Sequence, residues 1–178
     1  MTTALIAEDE PLLAQALQAG LARAWPGLEL LAPAGDGDEA VERTLAERPD
    51  VLFLDIRMPG RSGLEAAQAI VEDWPEAVSG TARSPALPLI VFVTAYDQYA
   101  LQAFERAAVD YLQKPVQPAR LAACCERLRA AIALREAAAS SAPRDDDAAL
   151  AARLRALLAA PAGPAAPAAE PLVILQAG

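Results

Sequence analysis

Short apolar runs alternate with amphipathic stretches along the first 136 residues. Runs at 3–7, 51–54, 89–93 and the shorter 111–113 read as strands, and they end at Glu8-Asp9, Asp55, Thr94 and Lys114. A helix-like segment follows each run. After the first, 11–24 reads as a helix with Pro11 near its start and Leu13, Leu17 and Leu21 at four-residue spacing. Residues 28–32 form a second predicted strand. Gly35-Asp36-Gly37 is a turn, and Asp36 or Asp38 is placed to cap a helix that runs to about Arg48. Residues 51–54 are uniformly apolar, as expected of a central strand buried on both faces. Met58-Pro59-Gly60 makes a turn. The next predicted helix, 63–74, carries Leu64, Ala67, Val71 and Trp74 on one face. Two more are predicted at 97–107, with Ala100 and Phe104 inward, and at 117–136, with a stripe of Leu121, Cys125, Leu128 and Ile132.

This alternation predicts an α/β fold, a doubly wound parallel sheet whose strand ends share one edge. In open sheets of this kind the ligand site lies at the carboxyl edge, at the topological switch point. With strand order 2-1-3-4-5, three carboxylates (Glu8, Asp9, Asp55), the Thr94 hydroxyl and the Lys114 ammonium converge there. Such a pocket suits a divalent cation and a phosphoryl group.

Two stretches break the rhythm. Residues 75–88 are rich in Pro, Ser, Gly and Ala and show no periodicity; they read as a loop insertion at the edge opposite the site. Beyond Ala137 the composition shifts. Residues 140–147 are a polar break, 148–160 read as a short Ala/Leu helix, and 161–171 as an extended Ala/Pro linker. Residues 172–176 are apolar again and look like a first strand.

Composition narrows the chemistry. The net charge is -9, with 24 acidic against 15 basic residues, so no general positive field draws nucleic acid. The N-terminus has no basic segment ahead of an apolar one, so no signal peptide is expected, and no apolar run approaches the length of a membrane span. Cytoplasm is the expected compartment. Cys124 and Cys125 are adjacent in a helical segment and read as reduced residues, one of them facing the core. There is no histidine, which removes Ser-His and Cys-His pairs and His-ligated metals. Carboxylate chemistry remains, with oxygen ligands suited to Mg²⁺ or Mn²⁺.

Asp55 is the candidate nucleophile. It ends a rigid apolar strand, and a carboxylate can attack phosphorus to give an acyl phosphate. On its own it would read as a capping aspartate; the other residues at matching strand ends favour the nucleophile. Glu8 and Asp9 abut the first strand. Three carboxylates so close raise one another's pKa unless a cation intervenes. Thr94 can donate to a phosphoryl oxygen, although a lone threonine at a strand end is usually structural. Lys114 lies two strands from Asp55, roughly 10 Å away, within reach of a lysine stem. Its bond to Pro115 is one of the few that adopts cis at modest cost. Tyr111 reads equally as a buried aromatic and as a mobile one.

These residues carry a recognisable pattern. AEDEP, VLFLDIRMPGRSGLE and VTAYDQYALQAFERAAVDYLQKP, at their spacing, make residues 1–136 resemble the receiver domain of bacterial two-component response regulators. The stretch from Thr94 to Pro115 resembles the LytR/AlgR (LytTR) subclass. The resemblance implies a flavodoxin-like fold and Asp55 as phosphoacceptor. It implies Mg²⁺ held by Glu8, Asp9, Asp55 and the Arg57 backbone carbonyl. Thr94 and Tyr111 become the switch pair and Lys114 the phosphate-sensing lysine. The partner it implies is a sensor histidine kinase that donates from a phosphohistidine. Glu8 departs from the commoner aspartate, and the 75–88 insertion is not part of the usual pattern. In the subclass a LytTR DNA-binding domain follows the linker; residues 172–178 resemble its opening strand, so DNA contact would need a domain missing here.

The expectation is a phosphoacceptor switch rather than an enzyme with turnover. The competing reading is a Mg²⁺-dependent phosphatase or phosphotransferase with an aspartyl nucleophile. Those enzymes place a second acid two residues after the nucleophile, where this chain has Arg57. A homodimer on phosphorylation is expected through the face of the fourth predicted helix, fifth strand and fifth helix, which carries Arg106, Asp110, Gln113, Arg120 and Arg127.

Overall fold

Five parallel strands form a single sheet in the order β2-β1-β3-β4-β5. The computed structural model describes residues 1–75, 86–95 and 108–140. Within them the chain runs β1 (Thr2–Ala7), α1 (Pro11–Ala24), β2 (Leu28–Leu30), α2 (Gly37–Glu47), β3 (Val51–Asp55), α3 (Gly63–Asp73), β4 (Leu89–Thr94), β5 (Ala108–Gln113) and α4 (Pro118–Ser140). This is the doubly wound fold the alternation predicted. Two units are delimited, Met1–Ala137 and Ala138–Gly178. The expected helix at 97–107 with Arg106, most of the 75–88 loop, the 148–160 helix, the linker and the apolar end all lie outside the described residues.

Strand parity divides the core in two. Ala4, Ile6, Phe53, Val91, Val93 and Leu112 pack with Leu17 and Leu21 of α1 and with Leu121 and Leu128 of α4. Leu5, Leu52, Leu54, Ile90 and Phe92 alternate with them and pack with Ala40 of α2 and Ala66, Ala67 and Ile70 of α3. Every residue of β3 and β4 is buried, which is why those runs are apolar throughout. Each large side chain so placed stabilises the fold by about 2 kcal/mol.

Helix ends follow the local chemistry. Asp36, not Asp38, caps α2: its Oδ1 accepts from the Glu39 amide at 2.8 Å. Asp38 instead receives Arg61 Nε at 3.2 Å. At α3, Ser62 and Glu65 form a reciprocal capping box.

The inward faces differ from expectation in detail. On α1, Ala14 is buried while Leu13 is 37% exposed. On α3 the buried set is Gly63, Ala66, Ala67 and Ile70, while Val71 is exposed and Trp74 only partly covered. Small residues let α3 approach the sheet, so the contact face follows alanines rather than the largest apolar side chains. Both cysteines are buried in the core, not one, and Cys124 also hydrogen-bonds Asp110. β2 stops at Leu30, yet the chain keeps running beside β1, with the Leu31 amide donating to the Ala4 carbonyl and the Ala34 amide to that of Ile6. β5 begins three residues earlier than its apolar run, with a register irregularity opposite Ile90 and Val91.

Candidate functional site

Parity also builds the site. Glu8 has the parity of Ile6, Asp55 that of Phe53, and Lys114 that of Leu112. All three therefore belong to the sheet face covered by α1 and α4. The ladder continues one residue past β1 and β5: the Glu8 amide donates to the Ala34 carbonyl at 3.0 Å and the Lys114 amide to the Thr94 carbonyl at 2.8 Å. Both side chains thus leave from fixed backbone. Lys114 Nζ stands 2.7 Å from Asp55 Oδ2 and 2.7 Å from Glu8 Oε2.

Glu8 and Asp55 are 4% and 5% exposed, whereas Asp9, of opposite parity, is at the surface. Carboxylate oxygens of Glu8, Asp9 and Asp55 nevertheless lie within 4.8 Å of one another. The Arg57 amide donates to Asp55 Oδ1 at 3.2 Å, which places the backbone of that loop against the carboxylate.

Burial raises the pKa of Glu8, and the neighbouring Asp55 charge adds to this; the Lys114 contact opposes it without winning. For Lys114 the balance is reversed. Burial alone would lower its pKa, but hydrogen bonds to Asp55 and Glu8 outweigh it and hold the ammonium above its ordinary value.

The loop after β3 is pinned by two close approaches. A Cβ on Gly63 would lie 1.9 Å from the Asp55 carbonyl oxygen, and one on Gly37 would lie 1.8 Å from that of Arg61. At Gly60 the chain takes φ +70, a left-handed conformation that glycine adopts without strain.

Thr94 is fully buried at the end of β4. Tyr111 pairs with Phe92, and Gln113 with Thr94, so Thr94 and Tyr111 share the opposite sheet face, two residues apart along the ladder. The Lys114-Pro115 peptide is cis. Beside Lys114 and Glu8 a cleft of about 380 Å³ opens between α1 and α4, floored by Leu17, Val93 and Leu121.

Residues 4–126 match the response regulator receiver domain family. The chain belongs to that family. It is 46% identical over 127 residues to an uncharacterized response regulatory protein of Vibrio cholerae serotype O1, covering 71% of this chain and 44% of that one. It is 40% identical over 129 residues to the transcriptional regulatory protein BtsR of Salmonella typhi, covering 72% and 48%. The chain thus spans about half the length of these relatives. Among solved structures, the receiver domain of AraT, a response regulator from Geobacillus stearothermophilus, superposes with TM-score 0.62 at 29% identity, covering 76% of this chain and 98% of that one. This is a receiver domain of a two-component system, with the predicted strand order. Receivers of this family generally act as phosphoacceptor switches.

One cluster escaped the reading of the sequence. Asp110 shares the parity of Leu112, yet it is an acid in the middle of a strand. Its side chain is 7% exposed and is held by Arg120 and Arg127. Asp110, Arg120 and Arg127, three of the charges expected on an open surface, are therefore paired with one another. An acid at a core position was itself the signal that cations must lie nearby.

Proposed function

We propose that residues 1–136 form the switch domain of a transcriptional response regulator, phosphorylated on Asp55 by a sensor histidine kinase. The buried Glu8–Lys114–Asp55 contact, with Asp9 at its rim, carries this reading. Oxygen donors from three acids fit a hard divalent cation, Mg²⁺ or Mn²⁺. Glu8, Asp9, Asp55 and the Arg57 carbonyl would hold it, and when bound it neutralises the oxygens of an arriving phosphoryl group. An Asp55 carboxylate oxygen forms the new P–O bond while the P–N bond of a phosphohistidine breaks and the imidazole nitrogen keeps the electron pair. Lys114 then exchanges a carboxylate oxygen for a phosphoryl oxygen. Thr94 donates its hydroxyl to another, and Tyr111 turns toward the space this leaves. The kinase approaches the apolar cleft beside the site, which Leu13, 37% exposed, helps to line.

The 94–115 segment and the greater length of the relatives support a LytR/AlgR regulator whose DNA-binding domain follows a linker over 137–171, its first strand at 172–178. The rival aspartyl phosphatase reading lacks its general acid, since Arg57 occupies that position. Acetyl phosphate with Mg²⁺, followed by intact mass measurement, separates the two. One stable phosphoryl adduct per chain supports the switch; rapid hydrolysis without an adduct refutes it.

A further inference from the structure

Arg120 makes a set of contacts that the phosphoryl chemistry does not use. It sits in the first turn of α4 and reaches back across the loop to β5. Its Nη2 is 2.6 Å from Asp110 Oδ1 and 3.1 Å from the Tyr111 carbonyl, and its Nη1 is 3.2 Å from Asp110 Oδ2. The guanidinium carbon also lies 5.8 Å from the centre of the Tyr111 ring. Arg127 shares the Asp110 carboxylate from farther along α4, through Nε at 3.1 Å and through Nη2. Neither of its contacts touches the Tyr111 backbone.

Lys114 stands within the segment that this arginine closes. β5 enters it through Tyr111 and Gln113, and α4 leaves it at Pro118. Arg127 and the apolar packing of Leu112 with Leu121 and Leu128 also tie α4 to β5, but Arg120 is the tie nearest to Lys114 that reaches the β5 backbone. With it, the middle of β5 and the first turn of α4 share one guanidinium. A planar fork with fixed donor directions suits this task, because it meets a carboxylate and a carbonyl together; an ammonium on a flexible stem cannot hold both in fixed geometry.

We propose that Arg120 is a positioning residue for Lys114: its clasp on Asp110 and the Tyr111 carbonyl sets where the lysine stands against Asp55 and binds β5 and α4 into one unit that moves with it. The inference rests on the functional reading above, in which Lys114 meets the transferred phosphoryl group. Its signature is non-additivity, because a residue that acts only through Lys114 has nothing to act on once that lysine is gone.

The test is a double-mutant cycle on the full chain. The rate of Asp55 phosphorylation by acetyl phosphate with Mg²⁺ is read by intact mass for wild type, Arg120→Ala, Arg120→Lys, Lys114→Met and Arg120→Ala/Lys114→Met. Thermal melting is followed in parallel, and the rates are read at temperatures where every variant is folded. Arg120→Ala slows phosphoryl uptake on the order of fivefold in the presence of Lys114 and changes it less than about twofold in its absence. Arg120→Lys restores melting temperature but not rate, and Arg127→Ala leaves the rate within about twofold of wild type. Equal losses in both backgrounds overturn the inference, as does an equal loss from Arg127→Ala, which would make the effect one of charge near Asp110. A wild-type chain that takes up no phosphoryl group overturns the functional reading and the inference together, so the two failures are distinguishable.

Discussion

Lys114 and Asp55 lie 59 positions apart in the sequence and meet at 2.7 Å, with β4 between their strands. The contact is direct because both residues share one sheet face and both leave from backbone already fixed in the ladder. Stranding one partner of a buried ion pair costs about 3–5 kcal/mol. Here the ammonium has a second carboxylate, Glu8, at the same distance.

Asp55→Asn should therefore keep its fold while losing the chemistry. Lys114 retains Glu8, so the loss of stability falls well short of the ~3–5 kcal/mol for a stranded charge. No phosphoryl adduct forms with acetyl phosphate. An adduct appearing at the wild-type rate would show that the nucleophile lies elsewhere.

Asp9→Asn acts on the cation instead. Asp9 is the surface member of the acidic trio, so its loss leaves the buried contact intact and removes one anionic oxygen donor. Mg²⁺ affinity should fall roughly tenfold, since affinity follows the charge count of the ligands. Titration followed by Trp fluorescence or calorimetry checks this, and unchanged affinity would remove Asp9 from the ligand set.

Asp110 predicts a pH dependence. Burial raises its pKa, but hydrogen bonds from Arg120, Arg127 and Cys124 outweigh this and hold the carboxyl below its ordinary value of 3.8. A group whose folded pKa is depressed adds stability above its unfolded pKa and loses it as pH falls through the folded one. The stability gap between wild type and Asp110→Asn should be constant between about pH 5 and 7 and should narrow below about pH 4. Urea melts at several pH values measure it. A gap that widens on acidification would have the wrong sign.

Gly63→Ala tests the brace behind the nucleophile. The new Cβ would meet the Asp55 carbonyl oxygen at 1.9 Å, a backbone atom with no free rotation to yield. Destabilisation of about 3 kcal/mol is expected, together with slower phosphorylation. A variant that melts with the wild type would mean that α3 can shift away without disturbing the site.

Self-association is the remaining test. Sedimentation with and without beryllofluoride should show a weak dimer that tightens when the phosphoryl mimic is bound. A monomer in both states would remove the expected face of the predicted 97–107 helix, β5 and α4 from the account.

The strand-end residues were legible because a parallel sheet converts chain order into one functional edge. Glu8, Asp9, Asp55, Thr94 and Lys114 could be placed before any coordinates. The contact face of α3 could not, because packing through Ala66 and Ala67 leaves no trace in a search for large apolar residues. The adjacent cysteines misled for a related reason: one helical stripe accounts for Cys125, while Cys124 joins the same core cluster and hydrogen-bonds Asp110, a partner not adjacent in sequence. The Arg120 contacts were hidden too. Their partners lie 9 and 10 positions away across a change of element, beyond the reach of helical or strand periodicity.

The two charged ends of the central contact do not stand on equal ground. Asp55 belongs to a strand laddered on both sides, whereas Lys114 follows β5, which has β4 alone as its strand neighbour among the described residues and an irregular register against it. A pull between them works against two ladders at one end and one at the other. In the proposed function, Asp55 would be the anchor and Lys114 the compliant member, so a phosphoryl charge arriving at Asp55 would be expected to displace β5 rather than β3. On that reading, the direction of signal flow would follow from unequal stiffness, set by where each strand falls in the order β2-β1-β3-β4-β5.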